Sequence, residues 1–447
     1  MKNIAPKLDR PRYEENFAEI HPPLTHNQAV TEANRCLYCY DSPCMKACPT
    51  HIDIATFIKR IATDNLKGSA KKILESNWIA LTCAKACPVN VLCEGACVYN
   101  ERGEKPIEIG RLQRHAMDAY FGSGMPALFA RKAATGKSVG IIGGGPAGLS
   151  CAAELALAGV EVTVYEGKTL AGGLDTWGIA PYKMSYEDSL REVKLVESFG
   201  VKVRNGVRVG RDIQISDLET AHDAIFIGVG LGESPDLKIP GEDLAGVVGA
   251  LEFIAKVTTR DWSAVDVGRR VAVIGAGNTA IDAATEAKRL GAGEVSIIYR
   301  RSEREMPAYE FEYALARKDG IIFHFLSSPV KIIGNGTVEA IECVRMRPAP
   351  KAAGGGRKLS AIPGSEFRIP VDMVIKSIGQ HPAGSLLALV NGLGLADGKI
   401  PVNSETLQTE NPKYFAGGDC INGGKEVVNA AADGKKAARG ILRYLNV

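Results

Sequence analysis

The chain has 447 residues, a net charge of +3 and no basic stripe with interleaved aromatics, so nucleic-acid binding is a poor fit. Hydrophobic residues make up 45%, enough for a large core and, at about 150 residues each, for about three domains. The most apolar stretch, Val139 to Val164, contains six glycines and reads strand–turn–helix–strand, not a membrane span. The N-terminus is polar and lacks the apolar run of a signal peptide, so a cytoplasmic location is the expectation.

Residues 1–135 hold eight of the eleven cysteines, among helical runs at Ile54–Ala62, Ser69–Ser76 and Leu112–Phe121. The spacing is Cys36-x2-Cys39-x4-Cys44-x3-Cys48-Pro49, then Cys83-x3-Cys87-Pro88, Cys93 and Cys97. A [4Fe–4S] cluster needs four thiolate-type ligands on tight turns, and in two-cluster proteins the last cysteine of a run often serves the other cluster. Structural zinc is the alternative, since Cys-x2–4-Cys pairs also make tetrahedral sulfur sites. Disulfides are disfavoured without a secretory signal. The segment Phe121–Lys137 reads as a linker or a crossing loop.

The next block opens with an apolar strand, Val139–Ile142, then Gly143-x-Gly145-Pro146-Ala147-Gly148. A helix from Pro146 to Leu157 and a strand, Val162–Tyr165, follow, with Glu166 at its end. The glycines allow a tight turn and close approach of a pyrophosphate to the helix N-terminus, and Glu166 stands where a carboxylate accepts from a ribose. Ala171-Gly172-Gly173-Leu174 continues the pattern of an FAD site.

A second unit begins at Val271–Ile274, with the turn Gly275-Ala276-Gly277-Asn278-Thr279. Its second strand, Val295–Tyr299, ends in Arg300-Arg301 where the first ends in Glu166. Basic residues there, reinforced by Arg304, can accommodate a 2′-phosphate, which leans towards NADPH; solvated surface arginines are the plainer reading. Gly354–Gly356 looks like a hairpin or surface loop. Near the C-terminus, Tyr414–Ala416 runs into Gly417-Gly418-Asp419, either a flavin contact or a simple turn. A closing helix begins at about Val428, and Val427 and Val428 complete the cofactor-facing candidates.

The expected fold is α/β. It has two Rossmann-like dinucleotide-binding domains, for FAD and NAD(P), the second inserted in the first, preceded by an α-helical iron–sulfur domain. The expected limits are 1–135 for the helical domain, 136–255 plus 371–447 for the FAD domain and 256–370 for the NAD(P) domain.

This combination resembles the small subunit of glutamate synthase and the N-terminal half of dihydropyrimidine dehydrogenase. Leu81-Thr82-Cys83-x3-Cys87-Pro88-x3-Leu92-Cys93 and Pro106-Ile107-x-Ile109-Gly110-x-Leu112-Gln113 look like the dehydrogenase, in particular its bacterial PreT-type electron-input subunit. The Phe-Pro-Glu segment typical of the glutamate synthase type is missing. The resemblance implies two [4Fe–4S] clusters, one held by Cys36, Cys39, Cys44 and Cys97, the other by Cys48, Cys87, Cys93 and Gln113. Cys83 is then left without a ligand role. It implies FAD contacts at Lys183 and Val209, although the family usually has Arg at the former and Pro at Ala180. Ser377-Ile378-Gly379 matches a stretch beside the nicotinamide. No side chain is assigned as acid or base. The implied activity is transfer of electrons from NAD(P)H through FAD and the clusters to an FMN-containing catalytic partner, in a heterotetramer. That partner reduces uracil or thymine to 5,6-dihydropyrimidines. Electron input to glutamate synthase, or to another acceptor such as ferredoxin, is the alternative.

Overall fold

The computed structural model describes residues 3–232, 234–258, 262–348, 359–381 and 384–447; the Gly354–Gly356 segment lies outside them. Two compact units result. The larger comprises Glu19–Thr176, Lys183–Glu233 and His381–Val447; the smaller comprises Met1–Ala18, Trp177–Tyr182 and Ser234–Gln380.

In the larger unit the cysteine-rich block is helical. Ile54–Ala62 buries Ile54, Phe57, Ile58 and Ile61, the i, i+3, i+4, i+7 stripe of an amphipathic helix, and Asp53 caps it by accepting from Thr56 N. The next helix is Leu66–Leu74, three residues earlier than its apolar pattern suggests, because the Asn65 side chain caps it through Gly68 N. Ala80–Ala86 and Ile109–Gly122 complete the part that carries the ligand candidates.

The first sheet is parallel, in the order Tyr414–Ala416, Ala224–Ile227, Ser138–Ile142, Glu161–Glu166, Lys202–Asn205. Its central strands are apolar on both faces, as a covered parallel sheet requires. The C-terminal block supplies the closing edge strand and the helix Val427–Leu445. That helix crosses Pro146–Leu157 at Gly434, where a Cβ would stand 2.1 Å from the Ala147 carbonyl oxygen.

Helical block and first sheet share one continuous hydrophobic core. Trp78 is the joint: it is buried, meets Phe129 and Phe199 edge-on at 5.0 and 5.2 Å, and donates its indole N–H to Glu154 Oε1 at 2.9 Å. Phe121–Lys137 is accordingly a crossing segment laid along the unit. Lys132 N bonds Leu157 O and Thr135 N bonds Gly159 O.

The smaller unit holds a second parallel sheet, in the order Val247–Gly249, Met373–Lys376, Arg270–Ile274, Glu294–Ile298, Ile322–His324. A smaller antiparallel sheet, Ser327–Gly334, Val338–Pro348, Leu359–Ala361 and Phe367–Pro370, accompanies it. Two of the parallel strands lie outside the 256–370 limits expected from sequence. Val247–Gly249 and Met373–Lys376 are short apolar runs with no local mark of which sheet they join.

The N-terminal residues, expected with the cysteine block, also belong to this unit. Ile4 bridges Gly268, Ala5 N bonds Val267 O, and Phe17 stacks on Trp262 at 4.6 Å. No described helix is long and apolar enough to cross a membrane.

Gly434 has an ordinary helical backbone, so only space constrains it. Gly434→Ala must push two helix backbones apart and is expected to destabilise the protein by about 1–3 kcal/mol, read as a lower denaturation midpoint. An unchanged midpoint would mean the crossing is looser than 2.1 Å implies.

Candidate functional site

Cys36, Cys39, Cys44 and Cys97 line one cavity, roofed by apolar side chains including Ile54, Ile58 and Ile107. The first three come from one loop and Cys97 arrives from the second cysteine run. The loop is held by Tyr38 Oη donating to Ala33 O at 3.0 Å and Tyr99 Oη donating to Arg35 O at 2.7 Å. Tyr38 sits at φ 52°, a strained conformation for a bulky residue that turns the loop between Cys36 and Cys39. Burial, then the neighbouring sulfurs, push the Cys44 thiol up to about 12. Among the described residues, no three His, Cys, Asp or Glu side chains are gathered closely enough for a single metal ion. The four thiols line a void, the arrangement the ligands of a multi-iron group require.

Cys48, Cys87 and Cys93 make the second group: burial raises the Cys93 thiol first, with charge effects of Glu94, Cys87 and Cys48 behind it. Gln113 is buried, and its Nε2 donates to Ala80 O at 2.6 Å. Its amide oxygen is thereby the end left to act as a ligand. Seven cysteines thus fall in two groups within the helical block, and Gln113 lies on the helix Ile109–Gly122 against Ala80.

At the first glycine turn, Gly143 has φ 100°, and a Cβ on Gly148 would meet Gly143 O at 2.0 Å. Only glycine fits either place. Gly145 caps the helix that begins with Pro146 and Ala147. Glu166 is buried and accepts from Gly144 N and Lys168 N, both at 2.8 Å, so it braces the turn. Gly173 lies against Gly145, and Leu174 is partly exposed beside it. Gly418, at φ 79°, sits over Ala147 and donates to Asp433 Oδ2; Asp419 follows it, its carboxyl raised by burial. Val427 and Val428 open the adjoining helix. The structure thus gathers the glycine turn, Gly173, Gly418–Asp419 and that helix N-terminus in one place.

Two candidates read differently. The Val209 side chain is buried in a core cluster with Ile142 and Tyr165, leaving only its backbone for a ligand. Lys183 is half-buried, and its charge helps hold the His21 imidazole below its ordinary value, after burial and Arg111.

In the second turn a Cβ on Gly275, at φ 120°, would meet Ser377 O at 2.0 Å. Ser377-Ile378-Gly379 therefore runs directly along the turn, and Ser377 N bonds Ile274 O. Gly277 faces open space at the start of the helix Asn278–Arg289, which includes Thr279. Ala276 O accepts from Ala308 N, and Asn278 Oδ1 from Tyr309 N. Arg300, Arg301 and Arg304 are exposed.

Sequence reasoning missed the buried polar groups joining the helical block to the first sheet. Glu192 accepts from Leu81 N at 2.6 Å and Thr82 Oγ1 at 2.5 Å, and Lys435 pairs with Glu154 at 3.0 Å. No motif announces such partners.

Residues 13–125 match the family model described as dihydropyrimidine dehydrogenase domain II, 4Fe-4S cluster, and residues 137–434 match pyridine nucleotide-disulphide oxidoreductase. The glutamate synthase (NADPH) small chain of Escherichia coli K12 is 36% identical over 446 residues, covering 96% of this chain and 94% of that one. The NADP(+)-dependent formate dehydrogenase subunit beta of Moorella thermoacetica is 35% identical over 430 residues, covering 90% of this chain and 60% of that one. Mycobacterium tuberculosis FprA in complex with NADPH is alike in fold, with a TM-score of 0.55 at 22% identity over 69% of this chain and 85% of that one. The chain belongs to the pyridine nucleotide-disulphide oxidoreductase family and is an NAD(P)H-dependent flavin oxidoreductase with a 4Fe-4S domain, similar to the glutamate synthase small chain.

Proposed function

We propose that this chain is an electron-input subunit: hydride from NAD(P)H reduces FAD, and two [4Fe–4S] clusters carry the electrons to an FMN-containing partner that reduces uracil or thymine. The observation that carries the reading is the cavity lined by Cys36, Cys39, Cys44 and Cys97, built on the same hydrophobic core as the first glycine turn. The protein's own work is positional: the two turns present backbone N–H groups to pyrophosphates, and the helical block fixes the thiols. The Leu81–Cys93 segment and Gln113 favour a dihydropyrimidine dehydrogenase partner. The 36% identity to a glutamate synthase small chain favours the second reading, electron input to a glutamate synthase large subunit.

Anaerobic pull-down from the native cells separates these. An FMN-containing partner that confers NAD(P)H-dependent uracil reduction is the expected outcome. A glutamate synthase large subunit would move the function to the second reading. Uracil reduction by the purified chain alone would sink the claim that a partner holds the substrate.

The exposed Arg300 and Arg301 support a preference for NADPH. Replacing both by Ala removes charge-assisted contacts to a 2′-phosphate, so KM for NADPH in anaerobic flavin reduction should rise about tenfold or more while that for NADH barely moves. Equal changes for both nucleotides would show that the arginines do not read the phosphate.

A further inference from the structure

Cys83 has no ligand role in the two-cluster reading, yet it is 4% exposed and tightly placed. It lies one helical turn before Cys87, whose N–H still bonds Cys83 O at 3.1 Å, so the two side chains share a face. Asn77 is fully buried beside it. Its Oδ1 accepts from Ile79 N at 2.9 Å, which fixes the amide so that Nδ2 donates to Cys83 Sγ at 3.2 Å. With Asn77 donating to the sulfur, the thiol hydrogen is directed elsewhere, and the Cys87 side chain, one turn on, stands on the same helix face.

We propose that the Cys83 thiol donates a hydrogen bond to the Cys87 sulfur and thereby raises the reduction potential of the cluster that Cys87 holds. The inference rests on the two-cluster reading above. A ligand sulfur carries more negative charge when its cluster is reduced, so a donor aimed at it stabilises the reduced form. Asn77 acts through Cys83, by orienting the thiol. Cys83 is a tuning residue and makes no bond to iron.

The test uses the full chain, purified anaerobically, with iron and sulfide content and an EPR-monitored redox titration as readouts. Cys83→Ala should keep the iron content of the wild type. At the wild-type midpoint, the reduced-to-oxidised ratio of one cluster should fall about two- to tenfold, while the other cluster and the flavin stay put. Cys83→Ser, whose hydroxyl also donates, should restore most of the shift. An unmoved potential in Cys83→Ala would overturn the proposal. So would loss of a cluster in Cys83→Ala together with its retention in Gln113→Leu, which would make Cys83 the ligand. Failure of the two-cluster reading itself is distinguishable, because the wild-type chain would then hold fewer than eight irons before any substitution, and the proposal would fall with it.

Discussion

The helical block and the first sheet are locked to each other by buried polar groups, which hold the thiols of the one at a fixed separation from the glycine turn of the other. Glu192 is 1% exposed on the helix Tyr186–Glu197 and receives Leu81 N, Thr82 N and Thr82 Oγ1. Burial pushes its carboxyl up to about 8 against the pull of those donors. Glu154 likewise holds both Trp78 Nε1 and Lys435, whose ammonium also reaches Glu75 O. Sliding one part over the other would leave such groups buried without partners, at about 3–5 kcal/mol for a broken pair. The links therefore specify one docking more than they add net stability.

The helix Ala80–Ala86 concentrates this constraint. Glu192 holds its first turn, Gln113 takes Ala80 O, and Asn77 takes Cys83 Sγ. Cys87 ends it. A seven-residue helix has little stability of its own, so its geometry comes from these three side chains. Each arrives from a different place in the chain, and together they fix where the helix delivers Cys87.

Both glycine turns were legible in the sequence because their determinants are local. Strand, turn and helix follow within a few residues, and the helix Pro146–Leu157 begins and ends where its pattern says. The grouping of cysteines was legible only through family resemblance. Spacing alone cannot say that Cys97 joins Cys36, Cys39 and Cys44 around one cavity. The docking of Ile4 and Ala5 against Val267 and Gly268 was illegible for the same reason: a backbone bridge between segments over 250 residues apart leaves no periodic trace. Val209 shows the converse limit, since a core valine and a valine whose backbone touches a cofactor look alike in sequence.

The family name mentions disulphides, so the route by which electrons leave needs a physical argument. Outside the helical block there are three cysteines, each buried: Cys151 within the helix Pro146–Leu157, Cys343 in the strand Val338–Pro348, and Cys420 just after Asp419. Burial pushes the Cys343 and Cys420 thiols up to about 12 and raises Cys151 as well, and no two of the three stand in a Cys-x-x-Cys arrangement. A thiol so protonated is a poor nucleophile and a poor redox partner. The N-terminal block holds the other eight cysteines, four of them lining one cavity on the core that also supports the first glycine turn. Electron exit through iron–sulfur groups, not through a dithiol, is the reading consistent with where this sequence puts its sulfur.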